Sequence, residues 1–161
     1  MKTAIFPGTF DPFTIGHFDV VQRALQIFDK VIIATIGDNQ KKKTLFPAET
    51  RADMIKQALQ PYTGNVEVVV YDTMTVDFCR AHHSNFIIRG IRTIGDYNFE
   101  SIMAQANQKL SPVIDTVFFP SRPEHAYICS SVVRDILLYH GDVSAFIPKG
   151  MKIAAISGTK E

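Results

Sequence analysis

The strongest constraint on the fold is an alternation of short apolar runs with helical patterns. Apolar, β-branched runs at residues 3–6, 31–36, 66–71, 86–88 and 116–119 predict five strands, most of them apolar on both faces. Between them, apolar residues recur at helical spacing in three sets: Phe18, Val21, Ala24, Leu25 and Phe28; Ala52, Ile55, Ala58 and Leu59; Phe99, Ile102, Met103 and Ala106. Strands that alternate with helices imply right-handed crossovers. The sequence therefore predicts an α/β fold, a single-domain, Rossmann-like parallel sheet with helices on both faces.

Length and charge set the outer limits of function. With 161 residues, 46% of them hydrophobic and 20% charged, the chain is typical of one soluble globular domain spanning 1–161. A net charge of +1 argues against broad attraction to nucleic acids or membranes. No secretory signal and no membrane-spanning stretch is expected. Cys79 and Cys129 lack metal-ligand spacing, which favours reduced thiols in a cytoplasmic protein. Residues 151–156 predict a short final helix.

The most informative motif follows the first strand. Residues 7–13 form a turn punctuated by proline and glycine, and this turn leads to Thr14-Ile15-Gly16-His17 at the start of a helix. Free N–H groups and the positive dipole end attract anions there. Gly16 allows close approach of a phosphate, and His17 can donate a hydrogen bond to it. A bare match of four residues is more often a capped helix, but its place after the first strand favours a phosphate site and nucleotide chemistry.

Three further segments lie at predicted strand ends. Lysines at 41–43 follow the second strand. They either belong to a solvated loop or supply a flexible ammonium group that binds a phosphate. Arg89 and Arg92 flank a glycine after the fourth strand, either as surface charges or as a grip on separate phosphates. Ser130 and Ser131 open an apolar helix, where hydroxyls cap the helix and can also bind a triphosphate. Because parallel strands bind ligands at their carboxyl ends, these segments are expected to share one site.

Missing motifs narrow the choice of chemistry. The sequence contains no G-x-x-x-x-G-K-[ST] loop and no G-x-G-x-x-G after the first strand. These absences disfavour a P-loop hydrolase and a dinucleotide oxidoreductase. His82 and His83 are adjacent, and a helix would aim them in different directions, so no protein-bound metal is expected.

Taken together, these motifs resemble the bacterial phosphopantetheine adenylyltransferases, a family of the HxGH-type nucleotidyltransferase superfamily. The resemblance extends from residue 6 to residue 143; the opening motif matches the superfamily, and residues 88–92 and 128–134 match the family. It implies transfer of the adenylyl group of ATP to 4′-phosphopantetheine, giving dephospho-CoA and pyrophosphate. It also implies Mg²⁺ arriving with ATP, a cytoplasmic homohexamer, and no nucleic-acid or membrane partner. The apolar residues of 71–78 are candidates for a subunit contact.

The resemblance also implies a role for individual positions. His17 and Lys42 would be catalytic, although counting forward from the second strand selects Lys41 where counting back from Phe46 selects Lys42. Substrate-binding positions are Thr9, Lys42, Thr75 and Arg89. ATP-binding positions are Thr9, Phe10, His17, Gly90, Ile91, Arg92, Glu100, His125, Ala126, Tyr127, Ile128, Cys129, Ser130 and Ser131. The attacking phosphate has a second pKa of about 6, so the reaction needs no general base.

Two alternatives remain at this point. The first is a related enzyme with another acceptor, such as nicotinamide mononucleotide or glycerol phosphate; the segment from Arg89 to Arg92 weighs against it. The second is a non-catalytic nucleotide-binding module. Retention of both His17 and the loop lysines weighs against that module, because binding alone does not require both.

Overall fold

A computed structural model describes residues 1–39 and 43–156, and within them five parallel strands form one sheet. The strands are β1 (Thr3–Gly8), β2 (Lys30–Ile36), β3 (Val66–Tyr71), β4 (Phe86–Ile91) and β5 (Asp115–Pro120), in the order β3-β2-β1-β4-β5. β1 and β4 run beyond their predicted ends because the neighbouring strands pair with Gly8 and Gly90, which the sequence alone places in turns. The predicted Rossmann-like α/β fold is confirmed.

Among the residues that the structure describes, five α-helices connect and flank these strands. They are α1 (Ile15–Ala24), α2 (Ala48–Ala58), α3 (Thr75–Ala81), α4 (Ile94–Leu110) and α5 (Ser130–Leu138), with short 3₁₀ turns at Gln60–Tyr62 and Pro123–His125. Leu25 caps α1, and Phe28 follows it but still reaches the core. Within the described ranges, no helix is both long and apolar enough to cross a membrane.

The predicted final helix at 151–156 is wrong. This stretch has no regular secondary structure, and its contacts explain why. Met151 is buried, and the Lys152 N–H donates to Gln57 Oε1 of α2 at 3.0 Å. Ile153 and Ile156 pack against the core of the domain. Tertiary contacts with α2 therefore take the place of helical hydrogen bonds.

The core occupies both faces of the sheet, as the apolar strands predict. Val31 and Ile33 of β2 pack into one cluster, and the alternating Ile32 and Ala34 pack into the other. The second cluster also contains most of the apolar residues of segment 71–78: Tyr71, Val76 and Phe78. These three side chains are buried within their own chain, whereas Met74 of the same segment is 53% exposed, so the subunit contact stays a prediction that depends on Met74.

Helix α4 departs from the expected burial. None of its residues is buried, and Phe99 and Ile102 are 62% and 66% exposed. Helical spacing correctly predicts the helix, but it does not say which neighbour covers the apolar face. In α4 this face is uncovered within the single chain.

Candidate active site

The site begins where β1 and β4 separate. β1 pairs with β2 from Thr3 to Gly8, whereas it pairs with β4 only at Ala4 and Ile5. Pro7 has no N–H with which to continue the ladder. Its carbonyl instead accepts a hydrogen bond from Arg89 Nη1 of β4 at 2.5 Å, which spans the gap. Strand order also reverses between β1 and β4, and crevices at such reversals bind ligands in open α/β sheets.

A cavity of about 380 Å³ lies in this crevice. Its wall contains most of the predicted site residues: Thr9, Phe10, His17, Arg89, Gly90, Arg92, Glu100, Ile128, Cys129, Ser130 and Ser131. It does not contain Thr75, Ile91, His125, Ala126 or Tyr127. Lys42, and the alternative Lys41, lie outside the described residues, but Lys43 is in the wall. Motifs far apart in sequence thus meet at one edge of the sheet.

The start of α1 is held by a capping box. The His17 N–H donates to Thr14 Oγ1 at 3.4 Å, and the Thr14 N–H donates to His17 Nδ1 at 3.0 Å. Since a backbone N–H can only donate, Nδ1 is the acceptor and the proton of the neutral ring lies on Nε2. Within 1–39 and 43–156 the Gly16 N–H has no partner, whereas the Ile15 N–H donates to Phe146 O. The helix start therefore offers a ring donor and a backbone donor.

The surroundings of His17 keep its imidazole neutral. Burial, and after it the nearby positive charges of Arg92 and Arg89, together lower the pKa of His17 to about 3. Phe10 and Phe13 provide the apolar contact, with ring centroids 5.1 Å and 5.4 Å from the imidazole. At neutral pH the ring is a hydrogen-bond donor without charge.

A glycine positions one of these aromatic rings. Phe10 has φ of 50°, in the left-handed region, and its ring lies against Gly8. A Cβ added at Gly8 would meet that ring at 2.7 Å, closer than real contacts allow. Gly8 therefore permits the loop conformation in which Phe10 packs edge-on to His17.

The predicted arginine and glutamate form a pair. Both carboxylate oxygens of Glu100 accept hydrogen bonds from Arg89, from Nε at 2.8 Å and from Nη2 at 2.5 Å. With the bond to Pro7 O, the guanidinium is fixed by three contacts and still has N–H groups to offer. Glu100 acts on the cavity chiefly by orienting Arg89.

The acidic side chains in the wall are occupied by protein donors. Asp11 accepts from the Leu45 and Phe46 N–H groups, and Asp96 from the Arg92 and Thr93 N–H groups. No group of three or more His, Cys, Asp or Glu residues in the described part of the chain could hold a metal ion. These carboxylates are therefore already engaged, and the described residues offer no cage of acidic ligands for a resident cation.

The opposite wall is the start of α5. Ser130 Oγ donates to Pro12 O at 2.8 Å, which fastens the helix to the first loop. Cys129 Sγ lies 3.1 Å from Ser131 Oγ. Burial raises the pKa of this thiol, but hydrogen bonds from Ser131 and Val132, together with Arg92, outweigh it, so that the pKa is lowered.

Comparison with known proteins decides the family. A cytidylyltransferase-like family model matches residues 5–136. A phosphopantetheine adenylyltransferase of Phocaeicola vulgatus is 48% identical over 95% of this chain and 99% of its own length. Those of Bacteroides thetaiotaomicron and Carboxydothermus hydrogenoformans are 46% and 38% identical over 95% of this chain, and over 99% and 93% of their own lengths. The chain belongs to the phosphopantetheine adenylyltransferase family.

Several residues of the cavity wall in this member of the phosphopantetheine adenylyltransferase family are not among the site residues predicted from the sequence. Arg134 lines the wall and donates to Asp11 O at 2.8 Å. Its position one helical turn after Ser130 and Ser131 is a signal that would have found it. Asp96 also lines the wall, and its role as the capping partner of Thr93 is readable from the Thr-x-x-Asp spacing. Ser121 carries no comparable pattern, because only strand pairing brings it to the site.

Proposed function

We propose that this chain transfers the adenylyl group of ATP to 4′-phosphopantetheine, giving dephospho-CoA and pyrophosphate. The observation that carries the proposal is the neutral His17, whose Nδ1 is engaged by Thr14 so that Nε2–H is left as a donor, in a cavity shared with Arg89 and Arg92. Relatives named for this activity match almost end to end.

The chemistry requires positioning and charge stabilisation more than proton transfer. An oxygen of the acceptor phosphate, largely dianionic at neutral pH because its second pKa is about 6, attacks the α-phosphorus of ATP. The bond from that phosphorus to the bridging oxygen breaks, and pyrophosphate leaves with the electron pair. His17 Nε2–H stabilises the negative charge that develops on the α-phosphate, as does the unpartnered N–H of Gly16 in the described part of the chain.

The two substrates are assigned to the two sides of the crevice. Arg89 is the ligand of the acceptor phosphate, with Thr9, Lys42 and Thr75 as further acceptor-side positions. ATP lies on the side formed by the end of β4, by α4 and by the segment that leads into α5, which carry the predicted positions 90–92, Glu100 and 125–131. Thr9, Phe10 and His17 complete the predicted ATP positions. Mg²⁺ enters as part of the nucleotide substrate.

Assembly and location complete the proposal. The uncovered apolar face of α4, formed by Ile94, Phe99, Ile102 and Met103, supports self-association into a homohexamer. The family model ends at residue 136, but later residues pack onto the same domain. Val143 and Met151 are buried, and Phe146 O accepts from the Ile15 N–H, which supports one nucleotidyltransferase domain over 1–161. Cys79 and Cys129 are unpaired, in keeping with a cytoplasmic enzyme.

The test is adenylyl transfer by the purified chain. ATP, Mg²⁺ and 4′-phosphopantetheine should give dephospho-CoA and pyrophosphate in equal amounts, followed by mass spectrometry and a coupled pyrophosphate assay. Nicotinamide mononucleotide and glycerol phosphate serve as competing acceptors in parallel reactions. Product from either one alone would assign a different enzyme, and ATP binding without pyrophosphate release from any acceptor would identify a binding module.

A further inference from the structure

Arg51 of α2 is a fully buried arginine outside the cavity wall. Its side chain is 0% exposed, and a guanidinium is placed in such an environment only when it is paired and hydrogen-bonded. Three contacts satisfy it. Nε donates to Phe46 O at 2.9 Å, Nη1 to Thr9 O at 2.5 Å and Nη2 to Asp38 Oδ1 at 2.9 Å.

These three acceptors lie on segments that reach the cavity. Thr9 is in the cavity wall and belongs to the loop after β1. Asp38 follows β2, and Phe46 ends the connection from β2 to α2, three residues after the wall residue Lys43. Arg51 therefore joins the loop that carries Thr9 to both ends of the connection that carries Lys43.

Three further N–H groups, bound by the carboxylates of Asp38 and Asp11, reinforce this junction. Asp38 also accepts from the Ala48 N–H at 2.9 Å, which caps α2. This bond, followed by Arg51, outweighs desolvation and lowers the pKa of Asp38, so the partner of Arg51 is ionised at neutral pH. Asp11 binds the Leu45 and Phe46 N–H groups from the other side.

We propose that Arg51 is a positioning residue for adenylyl transfer, which sets the placement of Thr9 relative to Lys43 across the cavity. The inference rests on the proposed function. A planar fork is required because its three acceptors lie in different directions, and the single ammonium of lysine cannot reproduce that geometry. Arg51 contacts no substrate in this scheme; it acts through the two loops.

The experiment compares Arg51→Lys and Arg51→Met with Ile114→Ala. Ile114 is buried in the second core cluster and lies just before the amino end of β5, whereas the cavity lies at the carboxyl ends of the strands, so its truncation lowers stability without touching the loops. Misplacement of reacting groups acts on the transition state more than on ground-state binding. At a temperature where all variants are folded, we expect kcat of both Arg51 variants to fall by about 10- to 100-fold with little change in the Kd for ATP.

Arg51→Lys retains the positive charge but not the planar guanidinium. A loss of kcat in both Arg51→Lys and Arg51→Met therefore assigns the loss to the guanidinium geometry and not to the charge. The proposal is overturned if either Arg51 variant keeps kcat within about twofold of the parent. It is also overturned if kcat falls no further in an Arg51 variant than in an Ile114→Ala protein of equal melting temperature. Should both Arg51 variants fail to fold, Asp38→Asn takes their place, because the Asp38 side chain is 54% exposed. An unchanged kcat there overturns the proposal, and a lowered kcat supports it. A parent chain that makes no dephospho-CoA would instead refute the proposed function.

Discussion

The sharpest test of the site separates two tasks of His17. Nδ1 accepts from the Thr14 N–H and helps to cap α1, while Nε2–H is the donor left for the reacting phosphate. Asparagine can place an acceptor near the position of Nδ1 but has no atom at Nε2. Glutamine can place an N–H near Nε2, and at the third position of a capping box its side-chain oxygen can also accept from the Thr14 N–H. His17→Asn therefore removes the Nε2–H donor but keeps an acceptor for the cap, whereas His17→Gln can supply either group.

The two tasks predict effects of different size on different quantities. Loss of one donor to developing charge costs about 10²- to 10³-fold in kcat. Loss of a cap costs about 0.5–2 kcal/mol in the free energy of unfolding. We expect His17→Asn to lower kcat for dephospho-CoA formation by about 10²-fold or more, with a melting temperature near that of the parent. His17→Gln should retain more activity than His17→Asn, because its amide can place an N–H near the position of Nε2.

Thr14→Ala is the matched control. It removes the Oγ1 cap but keeps the backbone N–H that holds Nδ1, so stability should fall while kcat is largely retained. Steady-state kinetics and thermal unfolding are measured on the same preparations. A folded His17→Asn protein with near-normal kcat would refute the role of Nε2–H, and a Thr14→Ala protein as inactive as His17→Asn would refute the separation of the two tasks.

Three further predictions follow from pKa, charge and exposure. The folded pKa of His17, about 3, is below the ordinary 6.5, so the unfolded chain binds a proton that the folded chain does not. The free energy of unfolding should therefore fall as the pH decreases between these values, and His17 contributes up to about 1.4 kcal/mol per pH unit to this fall. The free energy is measured by denaturant titration at several pH values, and an equal slope against pH in the parent and in His17→Asn would contradict the prediction. Arg89→Ala should weaken 4′-phosphopantetheine binding by about 10-fold or more in calorimetry, because charged hydrogen bonds are lost; an unchanged affinity would remove Arg89 from that subsite. Ile102→Glu on the exposed face of α4 should reduce the mass of the assembly in light scattering, and an unchanged mass would exclude this face from subunit contacts.

Much of the fold was predictable because its signals are local. Short continuous apolar runs indicate buried strands, a period of 3.6 indicates helices, and Thr14 indicates where α1 begins. The errors have a common cause. Residues 151–156 were predicted as a helix because their bonds to α2 are invisible in sequence, and the outward face of α4 could not be told from an inward one.

By itself, the sequence determined the alternation of strands and helices, the start of α1 at the opening motif and the family resemblance, since each is encoded in residues close together along the chain. Only the tertiary structure decided the state of the site. The neutral charge of His17 depends on its burial against Phe10 and Phe13 and on the charges of Arg89 and Arg92, and the joining of loops by Arg51 depends on β1 lying beside β2. Charge and hydrogen bonding act over a few ångströms in space, whatever the separation of the residues along the chain.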